Sequence, residues 1–98
     1  MANIEELAKK IRDLHKENKK DFSDKVEACF ELMTLFCRIK EKFRTKKDIK
    51  NCCYAALILS GIVDKKVEAR TRKFMEDFRL PEQAERTLFG NRMRMAGY

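Results

Sequence analysis

The chain has 98 residues, of which 44% are apolar and 40% charged, and its formal net charge is +7. This length allows one small domain, and the high charged fraction requires an extensively solvated surface. Three glycines and one proline are too few for a turn-rich β protein and favour long helices. No apolar run reaches the ~20 residues that span a bilayer, and the first ten residues lack the apolar segment of a secretion signal. We therefore expect an intracellular protein, in the cytoplasm or nucleus, that does not enter a membrane.

Two helices are predicted in the N-terminal half. Asn3 and Glu6 have the spacing of a capping box, so the first helix is predicted to begin at Asn3 and to end near Asn18. Ser23 is a suitable N-cap for the second helix, which is predicted to run to about Phe43. This second helix is apolar over more than half of its girth, as is typical of a central helix or one shared with a partner chain. We expect it to be the spine of the fold.

Three further helices are predicted in the C-terminal half. Thr45 begins the third with an S/T-x-x-D/E start signal, and Gly61 is its natural end. Asp64 is predicted to begin the fourth helix. Pro81 ends the fourth helix and suits the first position of a short fifth, which is predicted to stop at Gly90.

The fold class that these elements predict is all-α. We expect a compact bundle of four main helices plus a short fifth C-terminal helix, with sequential helices packed roughly antiparallel because the links are short. Residues 1–90 would form this single helical domain. Residues 91–98 have no periodicity and are predicted to be a flexible C-terminal tail, or an arm that orders on a partner.

The positive charge is concentrated in the middle of the chain. Met1–Cys37 has a net charge of −1, Arg38–Met75 has 12 basic against 4 acidic residues, and Glu76–Tyr98 is neutral. Thr45 and Asp64, the predicted caps of the third and fourth helices, are each followed by two lysines. Cations in a first helical turn oppose the helix dipole, whereas a helix N-terminus beside lysines suits a phosphate. Because the third and fourth helices both begin with a locally unfavourable pair of lysines, the sequence predicts an anion-binding surface.

A basic stripe on the fourth helix extends this surface. Lys66, Arg70 and Lys73 have i, i+4, i+7 spacing and therefore line one helical face, and Arg38 and Lys42 form a shorter ridge on the second helix. We predict a non-enzymatic nucleic-acid-binding protein that contacts the phosphate backbone of RNA or of a duplex, since shape-directed backbone contact is the usual mode for duplex RNA. The predicted binding residues are Arg38, Lys42, Lys46, Lys47, Lys50, Lys65, Lys66, Arg70 and Lys73.

Other interpretations of the basic residues stay open. They can be solvating surface charges, or the face of a helical adaptor or assembly subunit that binds an acidic protein. The third and fourth helices match a DNA-binding helix-turn-helix only in part, because Leu57 and Arg70 stand where that motif prefers small and apolar residues. Base stacking is not predicted, because the aromatic residues near the basic ones, Phe43 and Phe74, are better explained as core residues.

The apolar girth of the second and third helices exceeds what so small a domain readily hides. A homodimer through these helices would cover it, although a monomer with a central second helix is the simpler alternative. The predicted dimer interface consists of Leu32, Leu35, Phe36, Ile39, Ile58 and Leu59.

The sequence predicts neither an enzyme nor a bound cofactor. No Gly-rich phosphate loop or nucleophile motif occurs, and His15, the only histidine, is expected to be a surface residue. No Cys-x-x-Cys pair occurs among the four cysteines, Cys29, Cys37, Cys52 and Cys53, so no metal site is predicted. We expect reduced cysteines in the core, with a reactive thiol at Cys52 or Cys53 as a less favoured alternative.

Overall fold

The computed structural model describes the backbone of residues 3–17 and 23–95 and the side chains up to residue 90. The described residues form an all-α fold with no strand, which confirms the predicted fold class. None of the described helices is long and apolar enough to cross a membrane. Within the described residues, a 3₁₀ turn, Glu41–Phe43, joins the second and third of five α-helices, which are α1 (Ile4–Glu17), α2 (Ser23–Arg38), α3 (Lys46–Ser60), α4 (Lys65–Asp77) and α5 (Glu82–Met95).

Short-range capping contacts define three of the helix starts, as predicted. The amide of Glu6 donates to Asn3 Oδ1 at 2.8 Å in the first turn of α1. At α3, Thr45 and Asp48 form a reciprocal capping box, with N···O distances of 3.1 and 3.4 Å. At α4, Asp64 Oδ1 accepts two backbone N–H groups of the first turn, at 2.9 and 3.1 Å. Each side-chain oxygen satisfies an amide that has no partner within its helix.

The second helix is shorter than predicted, because it ends at Arg38 and not at Phe43. Arg44 explains the difference. Its Nε donates to the carbonyl of Ile39 at 3.1 Å, and its guanidinium lies over the ring of the buried Phe36, 4.5 Å from the centroid. Arg44 thus binds a carbonyl group at the end of α2 and directs the chain into the 3₁₀ turn.

The fifth helix is longer than predicted and continues through Gly90 to Met95. A glycine ends a helix where the backbone turns left-handed, and Gly90 does not have a positive φ. An added Cβ there would meet no atom within 4 Å, so Gly90 lies on an open part of the helix surface. Residues 96–98 of the predicted tail lie outside the described residues, and its flexibility stays a prediction.

The third helix, and not the second, is the most central element of the fold. α3 packs against α1, α2 and α5, whereas α2 packs mainly against α1 and α3. α4 is peripheral and packs mainly against α5. It buries only Val67, Thr71 and Phe74, and the Phe74 ring lies 5.7 Å from that of Phe30 on α2. The largest fully buried side chains are Phe36, Ile11, Leu32, Met33, Leu59 and Leu88.

Most residues of the predicted dimer interface are buried within the single chain, and the dimer itself stays a prediction. Leu32, Phe36 and Leu59 are completely buried within the single chain, and Ile58 is only 9% exposed. The remaining two, Leu35 and Ile39, are half-buried against the same core. The apolar surface of α2 and α3 is covered because α3 packs against α1 and α5 in addition to α2. The periodicity of α2 and α3 alone does not reveal these contacts.

Candidate nucleic-acid interface

All nine predicted binding side chains are exposed in the structure. They fall into two groups on different elements. One group precedes and begins α3 and contains Lys42, Lys46, Lys47 and Lys50; the other extends along α4 and over the end of α2 and contains Arg38, Lys65, Lys66, Arg70 and Lys73.

One lysine at the start of α3, Lys47, contacts the first helix. Lys47 Nζ lies 2.5 Å from Glu5 Oε1 on α1, and both side chains are mostly exposed. The hydrogen bond and the charge of Lys47 hold the pKa of the Glu5 carboxyl below its ordinary value. Exposed pairs of this kind contribute little stability. Lys46 and Lys50 form no ion pair with a described residue, so their charges stay available to an external anion.

The basic stripe of α4 is interrupted at its centre. Arg70 forms a bidentate ion pair with Glu27 on α2, and its Nη2 lies 3.1 Å from Glu27 Oε2. The guanidinium also lies over the Phe30 ring, 4.3 Å from the centroid. The hydrogen bond from Arg70 lowers the pKa of the Glu27 carboxyl. Lys66 and Lys73, on either side, are exposed and have no such partner in the described part of the chain.

The structure brings together predicted residues that are distant in sequence. Arg38 and Arg70 line one groove, together with Glu27 and Glu31 of α2. Arg70 also lines a neighbouring groove with Lys66, next to the cap of α4. Carboxylates therefore border the basic side chains along α2 and α4, and the grooves themselves have mixed charge.

The two helix starts differ in what they offer an anion. In the first turn of α3, the amides of Lys46 and Lys47 have no internal acceptor among the described contacts. In α4, Asp64 occupies the amides of Lys66 and Val67 and places a carboxylate at the helix N-terminus. The capping box also places the Asp48 carboxylate in the first turn of α3, so both starts carry a negative charge, and α3 differs in leaving the amides of two lysines free to favour an anion.

Phe43 is the residue of this region that sequence reasoning misplaced. It was predicted to lie in the core, but it is 64% exposed, in contrast to Phe74, which is 8% exposed. A sequence signal for this exists. The positions three and four residues after Phe43 are Lys46 and Lys47, so the apolar helical pattern has no continuation beyond it.

The cysteines lie mostly within the protein. All four are free thiols, and burial raises the pKa of Cys29 and of Cys52 to about 12. Burial also raises the pKa of the half-buried Cys37 and Cys53. A raised pKa keeps a thiol protonated and poorly nucleophilic at neutral pH. The described residues contain no group of three or more His, Cys, Asp or Glu side chains placed to hold a metal ion.

Comparisons with known proteins do not assign this chain to a family. No family model matches it, and no curated protein or solved structure shows significant similarity to it.

Proposed function

We propose that the protein is a small, non-enzymatic nucleic-acid-binding module that contacts the phosphate backbone of RNA or of a duplex. One observation carries the proposal. All nine predicted basic side chains are exposed, and only Lys47 and Arg70 form an ion pair with a described carboxylate. The remaining seven keep their charge open to solvent although they are crowded into one third of the sequence.

The physical basis is the release of counterions from the nucleic acid. Each lysine or arginine that neutralises a phosphate releases a condensed cation, so affinity falls as the salt concentration rises. On α4, Lys66 and Lys73 are seven residues apart and therefore about 10 Å apart along the helix axis. Duplex DNA carries a phosphate charge for about every 1.7 Å of its axis, so a stripe of this length can meet several phosphates.

The test is the salt dependence of binding to a random-sequence RNA duplex by matched charge variants. Lys66→Gln with Lys73→Gln should weaken binding and reduce the salt slope by about 2, because two phosphates are no longer neutralised. Lys46→Gln with Lys50→Gln should act in the same direction. The control is Lys10→Gln with Lys16→Gln, which removes the same charge from exposed positions of α1.

Two outcomes would contradict the proposal. The first is that the wild-type chain binds no nucleic acid at low salt. The second is that the α1 control loses as much affinity and salt slope as the α4 variant, because binding would then reflect net charge and not a surface. Circular dichroism of each variant verifies that the helices are retained.

A second candidate is a helical adaptor whose basic face binds an acidic protein. The ion pairs of Lys47 with Glu5 and of Arg70 with Glu27 favour it, because carboxylates already bind basic side chains of this region. Polyglutamate and nucleic acid, titrated under the same salt conditions, separate the candidates. Tighter binding of polyglutamate would favour the adaptor.

A homodimer and a location in the cytoplasm or nucleus are further parts of the proposal. Since four of the six predicted interface residues are buried in the single chain, a dimer has to use other side chains. Large apolar ones remain exposed at Leu57 and Val63. The molecular mass in dilute solution, measured by analytical ultracentrifugation, tests the dimer, and a monomer at all concentrations would exclude it.

A further inference from the structure

Phe43 is an exposed aromatic side chain in the most basic stretch of the chain. Between Arg38 and Lys50 the sequence has seven basic residues and two acidic ones. Phe43 lies near the middle of this stretch with 64% of its surface exposed. Exposed phenylalanines occur singly on many proteins, so its position needs a local explanation.

The 3₁₀ turn reverses the usual placement of apolar and charged side chains. Arg44 is half-buried, with its guanidinium 4.5 Å from the centroid of the buried Phe36 ring, whereas the adjacent Phe43 points to solvent. The turn is held by the Phe43 amide, which donates to the Lys40 carbonyl at 2.8 Å, and by the Arg44 amide, which donates to the Glu41 carbonyl at 3.2 Å. Local rules are broken most often at functional sites, and here the outward ring is fixed by an inward arginine.

One cation lies over the ring, and much of the side chain stays exposed. Lys42 Nζ lies over the Phe43 ring, 5.1 Å from its centroid. Because 64% of the residue is exposed, ring surface remains accessible to a planar group. Lys46 and Lys50 follow in the first two turns of α3, and both are exposed without an ion pair to a described residue.

We propose that this segment, Lys40–Lys50, binds single-stranded nucleic acid, with one base stacked on Phe43 and the adjoining phosphates on Lys42, Lys46 and Lys50. The inference rests on the proposed function and specifies its ligand. An aromatic ring in a basic groove is the arrangement that holds single strands, whereas the bases of a duplex are already stacked and paired. A membrane surface is a poorer fit, because it requires an apolar face, whereas the residues on either side of Phe43 in the chain, Lys42 and Arg44, are cationic.

The test compares oligouridine of about ten nucleotides, a length within single-strand site sizes, with an RNA duplex. Phe43→Ala should weaken oligouridine binding about 5- to 150-fold, which corresponds to the loss of one stacked base, and leave duplex binding unchanged. Phe43→Tyr keeps the ring and should bind oligouridine as tightly as the wild type. Phe89→Ala removes another half-exposed phenylalanine, outside the basic stretch, and should have no effect.

Phe43→Trp provides a direct readout, because the natural chain has no tryptophan. Stacking of a base should quench the emission of the introduced indole when oligouridine is added. Vesicles of phosphatidylserine and phosphatidylcholine in equal parts should leave the emission unchanged. A blue shift with vesicles and no quenching with oligouridine would overturn the inference in favour of a membrane surface.

The failures of this inference and of the proposed function are distinguishable. Equal oligouridine binding by wild type and Phe43→Ala overturns the inference, while salt-dependent duplex binding leaves the proposed function standing. No binding of either nucleic acid overturns both. Because Phe43 lies outside the core, its variants should keep the wild-type circular dichroism spectrum and denaturation midpoint, so that weaker binding reports on the ring itself.

Discussion

α3 and α4 begin with the same local pattern, a capping side chain followed by two lysines, but the fold treats them differently. At α3, Lys47 pairs with Glu5 of α1, and the helix packs against three others. At α4, Lys65 and Lys66 are exposed, and the helix buries only three side chains. The same start signal therefore opens the most embedded helix of the protein and its most peripheral one.

A charge profile along the sequence does not show which charged residues meet in the folded protein. Caps act over two or three residues, whereas the partners of Lys47 and Arg70 come from 42 and 43 residues away. Both partners, Glu5 and Glu27, belong to the nearly neutral N-terminal third. Folding thus places carboxylates beside the basic middle of the chain, and the two charge classes are less separated in space than in sequence.

The largest decreases in the free energy of unfolding should come from substitutions of buried side chains in α3 and α4. Leu59→Ala in α3 removes a completely buried side chain and should lower the free energy of unfolding by about 2–5 kcal/mol. Val67→Ala in α4 should cost less, on the order of 1 kcal/mol, because α4 is peripheral. Urea denaturation measures both changes.

Leu57→Ala is the matched control for this prediction. It changes the same residue type on the same helix, but Leu57 is 59% exposed, so the free energy of unfolding should change by less than about 0.5 kcal/mol. A loss at Val67 as large as that at Leu59 would contradict the peripheral position of α4.

The two caps should separate stability from binding. Thr45→Ala and Asp64→Ala each remove a side chain that accepts a first-turn amide, and each should lower the free energy of unfolding by about 1 kcal/mol. Only Asp64→Ala also removes a negative charge from a lysine-bearing helix start. It should therefore bind duplex RNA more tightly than the wild type, as measured by fluorescence anisotropy, while Thr45→Ala should not.

Asp64→Asn distinguishes the charge of the cap from its hydrogen bonds. Asparagine is as good an N-cap as aspartate, so this variant should keep wild-type stability and still gain affinity for duplex RNA. If Asp64→Asn binds no better than the wild type, the start of α4 does not take part in binding.

The parts of the fold that could be predicted from sequence are those with local causes. The starts of α1, α3 and α4 follow from Asn3, Thr45 and Asp64, whose side chains cap amides within three residues. The end of α2 could not be predicted, because it depends on Arg44 reaching back to the Ile39 carbonyl and the Phe36 ring. The apolar periodicity of α2 extends as far as Phe43, and nothing in the sequence indicates that Arg44 forms these contacts.

The candidate site was predictable in composition and less so in arrangement. The exposure of the nine basic residues agrees with their residue types, since lysine and arginine are rarely buried. The pairing of Arg70 with Glu27 and the outward ring of Phe43 were missed because both depend on tertiary contacts. The first depends on a contact between α4 and α2, and the second on the inward position of Arg44. The buried dimer residues illustrate it again: Leu32 and Leu59 are covered by helices whose positions no periodicity indicates.

The smallest effect concerns the Glu27–Arg70 pair, which engages the central residue of the α4 stripe. Because Arg70 lowers the pKa of Glu27 in the folded state, the pair stabilises the protein above the unfolded-state pKa of about 4.3. This stability is lost as the pH falls through the lower folded-state value. Glu27→Gln should therefore be less stable than the wild type by at most about 1 kcal/mol at neutral pH, with the difference vanishing in acid.

Nucleic-acid binding should change in the opposite direction. Glu27→Gln removes a carboxylate and frees the Arg70 guanidinium for a phosphate, so its affinity for duplex RNA should rise above that of the wild type. Glu31→Gln is the matched control, since Glu31 lies one turn further along α2, lines the same groove and has no ion pair with a described residue. Equal gains for the two variants would mean that only the net charge matters, and that Arg70 is no more available after its partner is removed than before.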